Sequence, residues 1–391
     1  MKYDFDTLSD RTNTASLKWD VKDGELPMWV ADMDFEAAPE IVEALQKRVN
    51  HKIFGYSTVP ISFYENIQKW WLQQHQMHFE TSWMMFCTGV VPAISSIVRH
   101  VTNIGDNVLI QSPVYNIFYN SIVNNGRHVL SSDLKYVNGQ YEIDFHDLER
   151  KLSNPQTTLM ILCNPHNPIG KVWDKETLVR IGALCVKHHV LVVSDEVHCD
   201  LVASKISYTP FASAALENQQ NCITCVAPSK AFNLAGLQTS CIIISNEQLR
   251  HKVYRGIQSD EVGEPNSFAI SASNAAFEKG KDWLVELCEY IDSNKKEVQS
   301  YIQEKLPELL VVESEATYLL WIDCTKICED DVALVEHIRK QTGLYLSYGS
   351  MFGENGKGFL RMNIACPKIR LNEGLQRLQA GIESYKASTF L

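Results

Sequence analysis

The stretch Ala227-Pro228-Ser229-Lys230-Ala231-Phe232-Asn233-Leu234-Ala235-Gly236 is the one around which this 391-residue chain is organised. It follows an apolar run, Cys222–Val226, that is typical of a buried strand. A lysine at the end of such a strand contributes little to packing, because its charge is costly to bury. It is useful as a nucleophile, since a lysine amine with a lowered pKa forms a Schiff base with a carbonyl group. A solvated loop lysine is the alternative.

Six more short apolar runs alternate with helical stretches, at residues 84–87, 108–111, 128–131, 159–163, 190–194 and 241–245. Together with Cys222–Val226 they predict an α/β fold in which helices cover both faces of a seven-stranded, mostly parallel sheet. Ligands of such sheets bind beyond the carboxyl ends of the strands. The polar motifs that follow these runs are therefore the candidate site.

Helices precede this pattern, and a smaller unit follows it. Pro39 begins a helix with the apolar stripe Ile41, Leu45 and Val49, and a second helix spans 61–75. After a polar helix over 282–306 we expect strands near 309–312, 317–323, 344–347 and 359–364, with helices near 331–341 and 371–385. We therefore predict a large domain over 44–280 and a smaller α/β domain formed by 1–43 and 281–391.

Composition excludes several classes of protein. The net charge of −11 argues against a nucleic-acid or anionic-membrane surface. No apolar run approaches 18 residues, so no membrane span is expected, and the first residues lack the apolar core of a signal peptide. Eleven scattered cysteines suit reduced thiols and a cytoplasmic protein. Cys222 and Cys225 would point to opposite faces of a strand, which disfavours a redox or zinc role, and Cys324 and Cys328 lack a second pair.

Two motifs near the first predicted strands suit a flat, phosphorylated ligand. Thr88-Gly89-Val90-Val91-Pro92 lies between a strand and a helix, where glycine and the free N–H groups of a helix N-terminus form a phosphate cup. Tyr115 follows the next strand and could stack on a ring or simply pack in the core.

Two further motifs offer polar groups to such a ring. The loop Asn164-Pro165-His166-Asn167-Pro168-Ile169-Gly170 is rigid, and the Asn167 amide can donate to a phenolate oxygen, although a simple turn remains open. Asp195 ends a central strand, where a carboxylate needs a cation such as a protonated pyridine nitrogen. His198 could reach the same ring or pack. A metal site using His188, His189 and His198 is disfavoured, because no helical i,i+4 pair is present.

Arg361 lies inside an apolar strand of the smaller unit, where a guanidinium suits bidentate capture of a carboxylate; a structural salt bridge is the alternative. Taken together, the motifs supply a Schiff-base lysine, a partner for a ring nitrogen, a phenolate donor, a stacking ring, a phosphate cup and a carboxylate clamp. Pyridoxal phosphate (PLP) that binds an amino acid requires this set. We expect no metal cofactor.

In the order of these motifs the chain resembles the fold-type I PLP-dependent enzymes over nearly its whole length. Lys230 lies 35 residues after Asp195, as in that superfamily. Within it the chain is similar to the MalY/PatB-type cystathionine β-lyases, a branch of C–S lyases. The more specific marks are Lys18-Trp19-Asp20, Pro27-Met28-Trp29-Val30-Ala31-Asp32-Met33-Asp34-Phe35, Phe54-Gly55-Tyr56 and Arg361-Met362-Asn363-Ile364-Ala365-Cys366-Pro367.

The resemblance implies roles for individual residues. Lys230, Asp195 and Tyr115 would be catalytic: the lysine as the Schiff-base amine, the aspartate on the ring nitrogen and the tyrosine stacked over the ring. The remaining implied contacts are Asn167 and His198 with the ring, Val90, Val91 and Ser229 with the phosphate, and Arg361 with the substrate carboxylate beside Trp29 and Ala31. Tyr56 would reach the phosphate of the neighbouring subunit, so the resemblance also implies a homodimer.

The implied reaction is α,β-elimination of L-cystathionine or a related L-cysteine S-conjugate to pyruvate, ammonia and a thiol. Three departures from aminotransferases of this fold accompany it: Gln238 in place of an arginine, Ala227 in place of a serine, and His198 in place of a tyrosine. A PLP-dependent aminotransferase and a PLP-carrying regulatory or interaction protein remain the alternatives.

Overall fold

A seven-stranded sheet forms the centre of the structure, a computed structural model that describes residues 2–389. Its strands lie in the spatial order Met84–Cys87, Ser240–Ile243, Cys222–Val226, Leu191–Asp195, Thr157–Cys163, Asn107–Ile110 and His128–Ser131. Ser240–Ile243 pairs antiparallel with both of its neighbours, and the other pairs are parallel. This arrangement confirms the predicted α/β fold and its mostly parallel sheet.

Side chains of the central strands alternate between two apolar cores, one on each face of the sheet. Leu109 and Met160 belong to one core, whereas their chain neighbours Val108 and Leu159 belong to the other. Such alternation follows from the two-residue period of a strand, and burial on both faces explains why the runs are apolar throughout.

Helices cover both faces of the sheet and build the rest of the chain. They span Pro39–Asn50, Ile61–His75, Val90–Val101, Ile117–Val123, Phe145–Leu152, Lys175–Lys187, Phe211–Ala214, Leu216–Gln220, Glu247–Ser259, Ala269–Lys279, Lys281–Lys305, Asp331–Thr342 and Lys368–Thr389. Side-chain caps fix several starts: Asp174, Asn246 and Asp330 accept hydrogen bonds from N–H groups of the first turn. The predicted stripe of Pro39–Asn50 is wrong at Val49, which is exposed near the helix end while Ile41 is buried.

The smaller unit contains an antiparallel sheet in the order Leu310–Val311, Leu319–Asp323, Phe359–Asn363 and Ser347–Tyr348. The strand predicted over 344–347 is in fact two strands. Leu344–Tyr345 pairs instead with Leu26–Pro27, which brings the N-terminal segment beside the C-terminal unit. Lys135–Val137 and Gln140–Glu142 form a separate hairpin that was not predicted. The division into domains over 44–280 and over 1–43 with 281–391 stays a prediction.

Candidate active site

A cavity of about 240 Å³ lies at the carboxyl ends of the parallel strands. We call it the cofactor cavity. The predicted site residues that line it are Ala31, Val90, Val91, Tyr115, Asn167, Asp195, His198, Ser229 and Lys230. Residues that are far apart in the chain therefore meet where the topology of an open parallel sheet places ligands.

Lys230 lies in the turn that follows Cys222–Val226. Its Nζ donates a hydrogen bond of 2.8 Å to the backbone carbonyl of Ala31, on the N-terminal segment. Burial lowers the pKa of the amine to about 8, and the nearby positive charge of Arg361 acts in the same direction. A lysine with this pKa exists partly as the neutral, nucleophilic amine near physiological pH.

Asp195 is the last residue of the central strand Leu191–Asp195, as predicted, and it pairs with both Cys163 and Cys225. The side chain is buried and accepts one hydrogen bond, of 3.2 Å, from the backbone N–H of Val197. Burial raises the pKa of this carboxyl to about 6. Among the described residues it has no ion-pair partner, so a cation in the cavity would satisfy it.

Arg361 lies beside the cofactor cavity in the strand Phe359–Asn363. Nη2 donates to the backbone carbonyl of Trp29 at 2.8 Å, and Nη1 donates to Oδ1 of Asn167 at 3.2 Å. The guanidinium also lies over the ring of Phe352, and Nε is buried with no hydrogen-bond partner among the described residues. Burial lowers the pKa of Arg361 to about 10. An incompletely paired guanidinium suits an anionic substrate group.

Asn167 is oriented by this contact. Because its Oδ1 accepts from Arg361, its Nδ2 is the atom left to donate into the cavity. Its loop also depends on Gly170, at φ +68°, where an added Cβ would lie 2.6 Å from Oγ of Ser314.

Rings and backbone groups complete the wall of the cavity. The His198 ring is neutral, since burial and the nearby charges of Lys230 and Arg361 lower its pKa to about 3, and its buried Nδ1 has no partner among the described residues. Gly89 precedes the helix Val90–Val101, so the N–H groups of its first turn face the cavity without an acceptor inside the helix. Ser229 and Gln238 also line the cavity.

Trp29 and Tyr56 are placed differently from the other predicted residues. Trp29 meets the site through its backbone carbonyl, while its ring stacks on Tyr345 with ring centroids 4.9 Å apart. Tyr56 is fully exposed, in a segment without regular secondary structure, and it does not line the cofactor cavity of its own chain.

The sequence reasoning missed Tyr318. This buried side chain donates a hydrogen bond of 3.1 Å to the carbonyl of Ala31, the same oxygen that accepts from Lys230. Asn363 fixes the same segment by donating to the carbonyls of Val30 and Asp32. Asn363 belongs to the Arg361–Pro367 motif, but that motif gave it no role, and nothing in the sequence separates Tyr318 from an ordinary core position beside an apolar strand.

A buried network of charges anchors the segment that carries Ala31. Arg11 forms ion pairs with Asp32 at 2.9 Å and Asp34 at 2.8 Å, and Lys18, itself 1% exposed, pairs with Asp34 at 3.1 Å. Arg370 approaches Asp34 at 3.3 Å. Although burial opposes the effect, Lys18 and Arg370 hold the pKa of Asp34 below its usual value. The network gives a physical role to the Lys18 motif and to the Pro27–Phe35 motif of the sequence, and it holds the hydrogen-bond acceptor of Lys230 in place.

The residues of the cofactor cavity fit PLP. The cavity holds a lysine amine of lowered pKa and a buried carboxylate without an ion-pair partner among the described residues. It also holds the amide of Asn167, which is bonded to Arg361, and the N–H groups of a helix N-terminus together with the Ser229 side chain. These groups match the aldehyde, ring nitrogen, phenolate and phosphate of the cofactor.

Comparisons with known proteins agree with this geometry. Residues 26–378 match the family described as aminotransferase class I and II. Cystathionine beta-lyase PatB of Bacillus subtilis is 42% identical, over 97% of this chain and 99% of the relative, and protein MalY of Escherichia coli is 31% identical, over 98% and 100%. The crystal structure of cystalysin from Treponema denticola, which contains a PLP cofactor, has a TM-score of 0.95 at 33% identity and covers 98% of this chain and 100% of that one.

The chain belongs to the aminotransferase class I and II family of PLP-dependent enzymes. Within that family it falls in the MalY/PatB branch of cystathionine β-lyases and C–S lyases. The resemblance, fold and cofactor expected from the sequence are thereby confirmed. None of the described helices combines the length and the apolar character that crossing a membrane requires.

Proposed function

We propose that the protein is a PLP-dependent carbon–sulfur β-lyase that cleaves L-cystathionine or related L-cysteine S-conjugates to pyruvate, ammonia and a thiol. The observation that carries the proposal is the meeting of Lys230, Asp195 and Asn167, the last bonded to Arg361, around one cavity. Membership in the MalY/PatB branch selects elimination of sulfur among the reactions that such a site performs.

PLP bound in this cavity supplies an electron sink that stabilises negative charge at Cα of an amino acid. Lys230 would hold the cofactor, and Asp195, buried and unpaired, would hold the ring nitrogen in its protonated form. Asn167 would donate to the phenolate oxygen, Tyr115 and His198 would contact the ring, and the phosphate would lie at Val90, Val91 and Ser229.

The protein groups then orient the substrate and move its proton. Arg361 binds the α-carboxylate, between Asn167 and the carbonyl of Trp29, and Ala31 forms part of the wall. The Lys230 amine removes the proton from Cα, a form of positioned base catalysis typically worth about 10²–10⁴-fold. The bond from Cβ to sulfur breaks, the thiolate leaves with its electron pair, and the released 2-aminoacrylate reacts with water to give pyruvate and ammonia.

Transamination and β-elimination both begin with the loss of the α-proton, so the two reactions are distinguished by their products. Gln238 lines the cofactor cavity where aminotransferases of this fold carry an arginine, which supports the lyase. The decisive assay incubates the holoenzyme with L-cystathionine and measures pyruvate and thiol, in parallel with keto-acid-dependent amino transfer. Amino transfer without pyruvate or thiol would overturn the proposal.

Lys230→Ala separates catalysis from a regulatory or interaction role. The lyase requires the amine and should lose turnover, whereas a role that depends only on the folded surface should survive. Lys230→Arg serves as a matched variant, because it keeps the positive charge without a nucleophilic amine.

The active protein is proposed to be a homodimer in which Tyr56 contributes to the partner's phosphate site. Tyr56 is fully exposed, and the adjacent Ile53, Phe54 and Ile61 are each more than half exposed. Such a group of exposed apolar side chains is typical of a surface that another protein covers. Mixing equal amounts of the variants Lys230→Ala and Tyr56→Ala should restore about one quarter of the wild-type activity, because about half of the dimers are then mixed and one of the two sites in a mixed dimer carries both residues. Failure to recover activity, or a monomer by sedimentation, would contradict the dimer.

A cytoplasmic location is proposed as well. All eleven cysteines are free in the structure, and most are buried, as expected where thiols remain reduced. Fractionation of cells that express the full-length protein should place it with cytoplasmic markers, and recovery in an extracellular or membrane fraction would refute this assignment.

A further inference from the structure

A second cavity, of about 680 Å³, is lined by Cys199 and Asp200, which directly follow His198 of the cofactor cavity. We call it the rear cavity. The side chains of interest in its wall are those of Trp70, His75, Cys199, Asp200, Tyr208 and Cys288. None of the residues that line it also lines the cofactor cavity, although Val197 and His198 of the same turn do line the latter. The reaction proposed above uses no residue of the rear cavity.

Three possible metal ligands meet in this wall. Nε2 of His75 lies 2.9 Å from Oδ1 of Asp200. A ring nitrogen of His75, a carboxylate oxygen of Asp200 and Sγ of Cys199 all lie within 4.8 Å of one another. The side chains of His75 and Asp200 are each 6% exposed. Nε1 of Trp70 donates to the same Asp200 oxygen at 2.9 Å, so the carboxylate is already oriented. Orientation of this kind supports ligands in metal sites.

The donor set suits zinc. An imidazole, a thiolate and a carboxylate are its three protein ligand types, at bond lengths of about 2.0–2.3 Å, which places tetrahedral ligand atoms about 3.5 Å from one another. The three atoms are already close to that separation, and shifts of about 1 Å would complete it. The adjoining cavity has room for water as the fourth ligand.

The surrounding charge also favours a cation. Glu196 is buried behind the cluster, where it accepts hydrogen bonds from Oγ of Ser194 at 2.8 Å, from the N–H of Phe211 at 3.0 Å and from the Tyr208 hydroxyl. Among the described residues the sole ion-pair partner of Asp200 is His75. Asp200 and the Cys199 thiol thus have one imidazole between them, with the carboxyl group of Glu196 close by, and a divalent ion would compensate these groups.

We propose that Nε2 of His75, Sγ of Cys199 and a carboxylate oxygen of Asp200 bind one zinc-like divalent cation, with water from the rear cavity as the fourth ligand. Binding displaces the thiol proton of Cys199 and the proton between His75 and Asp200, and both protons leave to solvent. The site is independent of the lyase reaction, so either proposal can fail without the other.

Cobalt titration of the PLP-loaded protein tests the site directly. Co²⁺ is the probe, because a tetrahedral thiolate complex absorbs at longer wavelengths than the cofactor and also gives a sulfur-to-cobalt charge-transfer band. We expect one Co²⁺ per chain, and release of that ion by stoichiometric Zn²⁺.

Variants assign the ligands. His75→Gln and Cys199→Ser should each weaken Co²⁺ binding by at least about 10- to 100-fold, because substitution of a residue that only hydrogen-bonds to a metal ligand already lowers metal affinity by that much. Cys199→Ser should also abolish the charge-transfer band. Cys288→Ser is the matched control, since that thiol lines the same cavity and lies 3.6 Å from the carbonyl oxygen of Asp200, outside the cluster. The cofactor absorbance of each variant reports that it is folded.

Three results would overturn the proposal. The first is that the wild-type protein binds less than one Co²⁺ per chain, a measurement that does not depend on the folding of any variant. The second is that the cobalt complex lacks the thiolate charge-transfer band. The third is that Cys288→Ser weakens Co²⁺ binding as much as Cys199→Ser does.

Discussion

The cofactor cavity and the rear cavity are both lined by residues of the segment 195–200, and they differ in charge. The cofactor cavity adjoins two cations, the half-buried Lys230 and the buried Arg361, against one buried carboxyl group, Asp195, and burial lowers the pKa of both cations. The rear cavity adjoins two carboxyl groups, Glu196 and Asp200, and the Cys199 thiol. The excess of positive charge favours an anionic ligand such as a phosphate or a carboxylate in the cofactor cavity, and the rear cavity favours a cation.

The largest expected effect is the removal of the amine from the cofactor cavity. Lys230→Ala should lower the rate of pyruvate formation by about 10³- to 10⁴-fold, since both the covalent attachment and the base are lost. The same variant should bind Co²⁺ in the rear cavity as the wild-type protein does. Cys288→Ser is the control for both measurements, because the Cys288 thiol contacts the backbone carbonyl of Asp200 and is itself no proposed ligand. A parallel loss of lyase activity and cobalt binding would show that the two cavities are not independent.

The difference between the cavities also explains what the sequence could predict. Most of the cofactor cavity is built from short motifs at strand ends, so Thr88–Pro92, Asn167, Asp195 and Lys230 could be placed together once a parallel sheet was predicted. The cluster of His75, Cys199 and Asp200 in the rear cavity joins the end of the helix Ile61–His75 to a turn in which Cys199 lies 124 residues after His75. No local spacing indicates that His75 and Cys199 meet.

The elements and residues that the sequence analysis placed wrongly or missed share one physical cause. The run 344–347 is mostly apolar and contains no β-branched residue, and nothing in it shows that its two halves pair with different sheets. Val49 fits a helical stripe, but it lies at the end of its helix beside the exposed segment that contains Tyr56. Tyr318 and Asn363 lie in or beside buried strands, where packing alone would explain them. In each case contacts between residues far apart in the chain decide the pairing or burial, and the periodicity of apolar residues in a short stretch cannot reveal such contacts.

The charge network behind Ala31 gives the next largest effect. Asp34→Asn removes the carboxylate that Lys18 and Arg370 share and leaves the buried Lys18 with a weaker partner. We expect a loss of about 3–5 kcal/mol in the free energy of unfolding, measured by denaturant titration of the holoenzyme. Asp20→Asn, at an exposed position of the same motif, should leave that free energy within about 0.5 kcal/mol. Equal effects of the two substitutions would show that the network does not stabilise the segment.

Arg361→Lys sharpens the assignment of the anionic ligand. The charge remains, but the planar fork that bonds to Asn167 and the Trp29 carbonyl is lost. The KM for L-cystathionine should rise by roughly 10- to 100-fold, corresponding to about 1.5–3 kcal/mol for a hydrogen bond to a charged group. Cofactor absorbance should stay unchanged. If the KM is unaffected while cofactor affinity falls, Arg361 serves the cofactor and not the substrate.

The smallest expected effect concerns the pH dependence of cofactor uptake. Schiff-base formation needs the neutral amine of Lys230, whose pKa is lowered to about 8. Because the neutral fraction grows as pH rises, the rate at which the cofactor-free protein gains the Schiff-base absorbance should increase about tenfold per pH unit up to pH 8 and then level off. Stopped-flow absorbance measures this rate, and Lys230→Arg, which cannot form the bond, gives the background.

Below pH 6 protonation of Asp195, whose pKa is raised to about 6, should weaken uptake further, since the carboxylate then no longer attracts the protonated ring nitrogen. A rate that continues to rise toward pH 10 would mean that Lys230 has an ordinary pKa, and the contrast in charge between the two cavities would then lose its main support on the cofactor side.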